Sequence, residues 1–180
     1  DQLNDAWVYF RTIQEPEKVS AALENATLPD DYDKSQELIN IALYEGANPV
    51  RGLQFLLNPG WKIYWRSPGD AGVPPAIDWT GSRNLKSATM RWPLPERFTI
   101  FGLTTMVYGD EVVLPLDIRL KSPGQGLALR AHVTYLACEK ICIPYDARLV
   151  LDLAPGKGTA APRHAAAIER YARRVPPRLA

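Results

Sequence analysis

The sequence predicts an all-β chain, an antiparallel sandwich or barrel with one short helix near its C-terminal end. Three observations carry that expectation. Sixteen of the 180 residues are proline, about 9% against a usual ~5%, and proline breaks helix interiors while fitting turns and sheet edges. Apolar residues recur with a period of two along much of the chain, as half-buried strands require. Gly, Pro, Asn and Asp punctuate the chain about every ten residues, which spaces roughly seven to nine short strands.

The elements follow in order. The first 35 residues are the least legible; Ala6 to Ile13 reads as a strand and Glu17 to Asn25 as a helical turn or two. Ile39, Ile41 and Leu43 alternate. Leu53, Phe55 and Leu57 precede the turn Asn58-Pro59-Gly60, and Trp61 to Trp65 is expected to return as the other arm of a hairpin. Ala88, Met90 and Trp92 mark a further strand, and Thr105 to Tyr108 another. Val112, Leu114, Leu116, Ile118 and Leu120 alternate with Val113, Pro115, Asp117 and Arg119. That pattern predicts a half-buried strand with its proline on the outward side. After the turn at Pro123 to Gly126, Leu127, Leu129, Ala131, Val133 and Tyr135 form a strand expected to end at Tyr135. Leu149, Leu151 and Leu153 repeat the pattern.

Composition excludes several function classes. Twenty-one basic and 20 acidic residues leave a formal net charge of +1, which is no footprint for nucleic acid. The longest uncharged stretch, Phe98 to Gly109, has 12 residues, too few for a membrane-spanning helix. The chain starts at Asp1, so a removed leader or excision from a longer protein is expected. The charge is also uneven: the segment from Pro155 onward carries +5 and the rest −4. A domain over 1–154, a linker at 155–162 and a basic helical tail at 163–180 are therefore expected, with Ile168, Tyr171, Ala172 and Val175 at helical spacing. The tail reads equally as a helix docked on the domain and as a solvated basic segment.

Chemistry concentrates at Cys138-Glu139-Lys140-Ile141-Cys142. On a straight strand the two Cα atoms would lie ~13 Å apart, whereas a disulfide needs them within ~7 Å. The backbone must bend there for the sulfurs to meet. A disulfide closing so short a loop removes little chain entropy and is a weak staple, but it is well built for exchange, because the second thiol is poised to resolve a mixed disulfide. Lys140 would favour a thiolate and Glu139 would oppose it. Three readings stay open on the residues alone: redox exchange, an inert structural bridge, and a metal site. Zinc would need both histidines, His132 and His164, at none of the familiar spacings; copper(I) would need Met90 or Met106.

The segment Trp61 to Pro75 is dense in aromatics, glycine and proline. Most of its tryptophans, with Trp79 and Trp92, are expected in the core. The alternative is a surface platform in which Trp65, Arg66 and Asp70 bind glycan, or a shield over a reactive disulfide.

Four runs occur in order: Asn58 to Pro75, Trp92 to Phe98, Tyr108 to Pro115, and Tyr135-Leu-Ala-Cys-Glu-Lys-Ile-Cys-Ile-Pro144. Together they resemble the N-terminal periplasmic domain of the DsbD family, and within it the ScsB (suppressor of copper sensitivity) membrane proteins. The resemblance covers roughly residues 38–153. It implies an immunoglobulin-like β-sandwich with one redox-active cysteine pair and no cofactor, since sulfur carries the electrons. It further implies a periplasmic domain of a membrane protein, a thiol:disulfide oxidoreductase reduced by a thioredoxin-like domain of the same protein, which in turn reduces an isomerase-like periplasmic partner. Carried onto this sequence, Cys142 attacks partner disulfides and Cys138 resolves. A cap loop falls between Pro93 and Thr104, with Phe98, Ile100 or Phe101 as the covering side chain, and Tyr64 neighbours the site. The chain departs from the DsbD pattern in having three residues between the cysteines rather than a longer spacing. The alternative expectation is a non-enzymatic sandwich that binds copper or glycan and carries a structural disulfide.

Overall fold

A computed structural model of the chain describes residues 39–45, 50–155 and 162–177. The elements expected at Ala6 to Ile13 and Glu17 to Asn25, and the linker residues 156–161, lie outside the described residues. Among the described residues ten strands follow one another: β1 Ile39–Glu45, β2 Val50–Leu57, β3 Lys62–Gly69, β4 Ala76–Asp78, β5 Leu85–Met90, β6 Glu96–Ile100, β7 Leu103–Gly109, β8 Glu111–Leu120, β9 Leu127–Cys138 and β10 Cys142–Leu153. Among the described residues there is one helix, α1, spanning Pro162–Ala172. The strands make two antiparallel sheets, β1-β2-β8-β5 and β10-β9-β3-β7-β6, with β4 pairing β9 in the second. The result is an immunoglobulin-like β-sandwich. Phe55, Leu53, Leu114 and Leu116 from the first sheet are fully buried with Ile63, Leu129, Val133 and Leu149 from the second.

The expected β2–β3 hairpin is not formed. β2 and β3 lie in different sheets. The turn between them explains why: Trp61 N–H bonds back to Asn58 O at 3.1 Å, across Pro59 and a Gly60 at φ 86°. Proline followed by a positive-φ glycine makes a type II turn, and such turns splay strands instead of matching their twist. The chain is thereby sent across the sandwich.

The outward side of β8 is also covered rather than solvated. Val113 and Pro115 are buried because α1 packs over this face through Ile168 and Tyr171. Ile168 sits over Gly52, where an added Cβ would come within 2.6 Å of its side chain. Glu111 fixes the helix, pairing with Arg170 at 2.8 Å and accepting the Tyr171 hydroxyl on its backbone carbonyl at 2.7 Å. Two strands escaped the sequence reading, β4 and β6. β4 is three residues long and β6, ERFTI, shows no clean alternation of burial.

Candidate functional site

β9 does not stop at Tyr135. It continues to Cys138 and turns through Glu139, Lys140 and Ile141 into β10, whose first residue is Cys142. The two cysteines are register partners at the hairpin end, with Cα atoms 4.1 Å apart and the sulfurs joined. The bend required by the spacing is thus a β-hairpin turn. Pro144 does not belong to the turn; it lies inside β10, opposite Leu136. Among the described strands β10 lies at the edge of its sheet, where a residue lacking an N–H is tolerated.

Burial alternates along both strands. Odd positions such as Val133, Tyr135, Ala137, Ile143 and Tyr145 face the core, and even positions face outward. The disulfide therefore stands on the outer face of the second sheet. Its two sulfur-bearing residues are unequal: Cys142 is exposed, whereas Cys138 is 9% exposed and packs with Tyr64, Val107, Phe98 and Leu136. The Tyr64 hydroxyl donates to Cys138 Sγ at 3.1 Å. Tyr64 is 7% exposed, and burial raises its pKa above the ordinary 10.0, so the phenol stays a donor at neutral pH. At the turn, Glu139 accepts the Lys140 backbone N–H at 2.8 Å, and both side chains are exposed.

The segment after β3 sets this arrangement. Gly72, at φ 111°, lies so close to the Tyr64 ring that a methyl group there would overlap it. Gly69 does the same against Thr104 O. Asp70 clasps Thr104, its N–H donating to Thr104 O at 3.0 Å and its carboxylate accepting Thr104 N–H at 2.7 Å. In the sequence Gly72 is one residue of a glycine- and proline-dense segment; its contact with Tyr64 depends on where the chain returns.

The expected cap loop between Pro93 and Thr104 is largely a second hairpin, β6–β7, turning at Phe101-Gly102. Both turn residues have positive φ, 50° and 79°, as a tight two-residue hairpin demands. Of the three candidate covering residues, Phe98 packs against the cluster around Cys138, with Lys62 Nζ over its ring at 4.3 Å. Ile100 is 39% exposed and Phe101, at the tip, 96%. The tight turn after β6 holds Phe101 out from the sheet, which accounts for its exposure.

The other expected constellations do not assemble. Trp65 packs against the main core, with the Arg66 guanidinium 4.9 Å over its ring, and the Asp70 carboxylate is engaged with Thr104. These three do not form an open aromatic platform. His132, on the outward side of β9, contacts Asp146, whereas His164 lies on α1 over the opposite sheet. Among the described residues no group of three or more His, Cys, Asp or Glu side chains is placed to hold a metal ion. No helix among them is long and apolar enough to cross a membrane.

Comparison with known proteins meets this geometry. Residues 31–154 match the family described as thiol:disulfide interchange protein DsbD, N-terminal. The N-terminal periplasmic domain of ScsB from Proteus mirabilis is similar in structure, with a TM-score of 0.62 and 29% sequence identity over 81% of this chain. The chain spans 57% of that domain's length. The reduced N-terminal domain of Neisseria meningitidis DsbD aligns at a TM-score of 0.44 and 14% identity, over 74% of this chain and 94% of that one. No curated protein sequence matches the chain. With a disulfide-forming cysteine pair at the end of a β-sandwich hairpin and a family match over most of its length, the chain belongs to the family of the N-terminal domain of the thiol:disulfide interchange protein DsbD.

Proposed function

We propose that this domain is a periplasmic thiol:disulfide oxidoreductase module, reduced by a thioredoxin-like domain of its own membrane protein and in turn reducing a disulfide in a periplasmic, isomerase-like protein. The observation that carries the reading is the inequality of the pair. Cys142 is open to attack, while Cys138 is buried against a hydrogen-bond donor. A donor thiolate attacks Cys142 Sγ, the Cys138–Cys142 bond breaks, and Cys138 leaves as a thiolate held by the Tyr64 hydroxyl. The donor's second thiol then attacks the mixed disulfide and releases Cys142 as a thiolate. Two electrons have moved from the donor to this domain.

In the second half, the Cys142 thiolate attacks the partner's disulfide and expels one partner thiolate. Cys138 then attacks Cys142 Sγ, re-forms the internal disulfide and frees the partner in its dithiol form. An accessible nucleophile and a sheltered resolving thiol are what such exchange requires. Phe98 acts as the shield in this reading, restricting approach from the Tyr64 side, with Ile100 and Phe101 at the hairpin tip available to meet a partner.

The test mixes a Cys142→Ala variant with the reduced thioredoxin-like donor. Loss of electron transfer is expected, and unaltered transfer would remove the assignment. Cys138→Ala is expected to accumulate a mixed disulfide through Cys142; accumulation through position 138 in the reverse variant instead would invert the roles.

A further inference from the structure

Beside the disulfide, on the same outward face of β9 and β10, lies a groove of about 370 Å³. Its lining includes Leu136 and Pro144, one cross-strand pair removed from the cysteines along that face, and Thr134 with Asp146 one pair further on. Val73 and Pro74, from the segment that positions Tyr64, form a wall. Val73 is 57% exposed. One carboxylate oxygen of Asp146 contacts His132, while the other, Oδ1, is buried with no hydrogen-bond partner among the described residues. Asp146 thus places a carboxylate at the end of the groove away from the cysteines.

We propose that this groove receives the polypeptide flanking the partner's reacting cysteine, and that it selects an apolar residue beside that cysteine and a lysine or arginine three or four residues away. The inference rests on the exchange reading above and names the partner's local sequence. A partner sulfur bonded to Cys142 brings its neighbouring residues onto this face. Toward β3 and β6 the face is filled by Tyr64 and Phe98. Along the ladder no described residue fills it, so the groove continues the reaction site in the direction left to an incoming chain. Four residues of strand separate Cys142 from Asp146, about 13 Å, which sets the position of the basic residue. Leu136, Pro144 and Val73 offer an apolar surface before that point, and the volume is at the low end for a ligand site, suited to one or two side chains. Pro144 removes an N–H from the edge strand, which interrupts main-chain pairing with an added strand. Recognition therefore falls on side chains.

The probes are short peptides with one central cysteine carried as a mixed disulfide with thionitrobenzoate, and the readout is chromophore release by the reduced protein. One peptide has leucine beside the cysteine and lysine at the fourth position on either flank; others replace lysine by glutamate or leucine by serine. The lysine peptide is expected to react about tenfold faster than the glutamate peptide, the worth of one charge-assisted hydrogen bond. Asp146→Asn is expected to collapse that lysine-to-glutamate ratio, and Val73→Ser the leucine-to-serine ratio. Ratios taken within one protein cancel any change in intrinsic sulfur reactivity. Equal rates for all peptides, with glutathione disulfide still reduced, would overturn the groove alone. Inertness toward every disulfide, glutathione disulfide included, would overturn both the groove and the exchange reading.

Discussion

Replacing Tyr64 by phenylalanine removes one oxygen and leaves the ring packed against Gly72 and the Cys138 cluster. In the oxidised protein the hydroxyl donates to a neutral sulfur at 3.1 Å, a weak acceptor. In the reduced protein the same donor faces a thiolate, and hydrogen bonds to charged groups contribute about 1.5–3 kcal/mol. Taking the lower figure as the difference between the two states, Tyr64→Phe is expected to raise the Cys138 thiol pKa by about one unit. At a pH where Cys138 is ionised, the two-electron potential moves about 30 mV more negative. Donor attack on Cys142 slows, by about tenfold if the whole stabilisation is felt in the transition state and about threefold if half is. The assay titrates thiolate absorbance in a Cys142→Ala background, with and without Tyr64→Phe, so that Cys138 is the sulfur observed. Potential is read separately by equilibration of the two-cysteine protein with a glutathione buffer. A pKa and a potential both unmoved by the loss of the hydroxyl would refute the role given to Tyr64.

Gly72→Ala should reach the same bond from the other side, because a methyl group displaces the Tyr64 ring; the thiol pKa of Cys138 rises as in Tyr64→Phe, and the double variant shows no further rise. Ile168→Ala, at the buried centre of the α1 contact, is expected to cost about 2–3 kcal/mol in urea unfolding, and a loss under about 0.5 kcal/mol would mean that the helix contributes little to the domain. Burial raises the pKa values of Tyr64, Tyr108 and Tyr171 above 10.0. Unfolded tyrosines release their protons first as pH rises, so above about pH 10 the unfolded state binds fewer protons and stability falls. The urea midpoint is expected to drop between about pH 8 and pH 11, beyond the loss in a Tyr64→Phe, Tyr171→Phe variant, whose two phenols no longer contribute.

Much of the sandwich was legible because alternation is a local signal. Val112 to Leu120 and Leu127 to Tyr135 show it plainly, and both are strands. What alternation cannot carry is the identity of a strand's neighbour. The Asn58-Pro59-Gly60 turn looked like a hairpin and proved to be a crossing between sheets, a difference set by turn geometry. Val113 and Pro115 were read as outward for the same local reason and are buried by α1, an element 50 residues downstream.

The sequence by itself determined that two cysteines four residues apart could join only through a bend, and its four framework motifs pointed to the right family and to Tyr64 as a neighbour of the pair. Only the tertiary structure decided which sulfur is sheltered. That depends on β3 lying beside β9, which sets Lys62 and Ile63 opposite Cys138 and Ala137 and brings the Tyr64 hydroxyl to Cys138 Sγ across 74 residues of chain. It depends equally on Gly72 closing over the ring. Chemical types and spacings are written locally, but burial and hydrogen-bond partnership are properties of what folds back onto a residue, and the asymmetry of this disulfide is of that second kind.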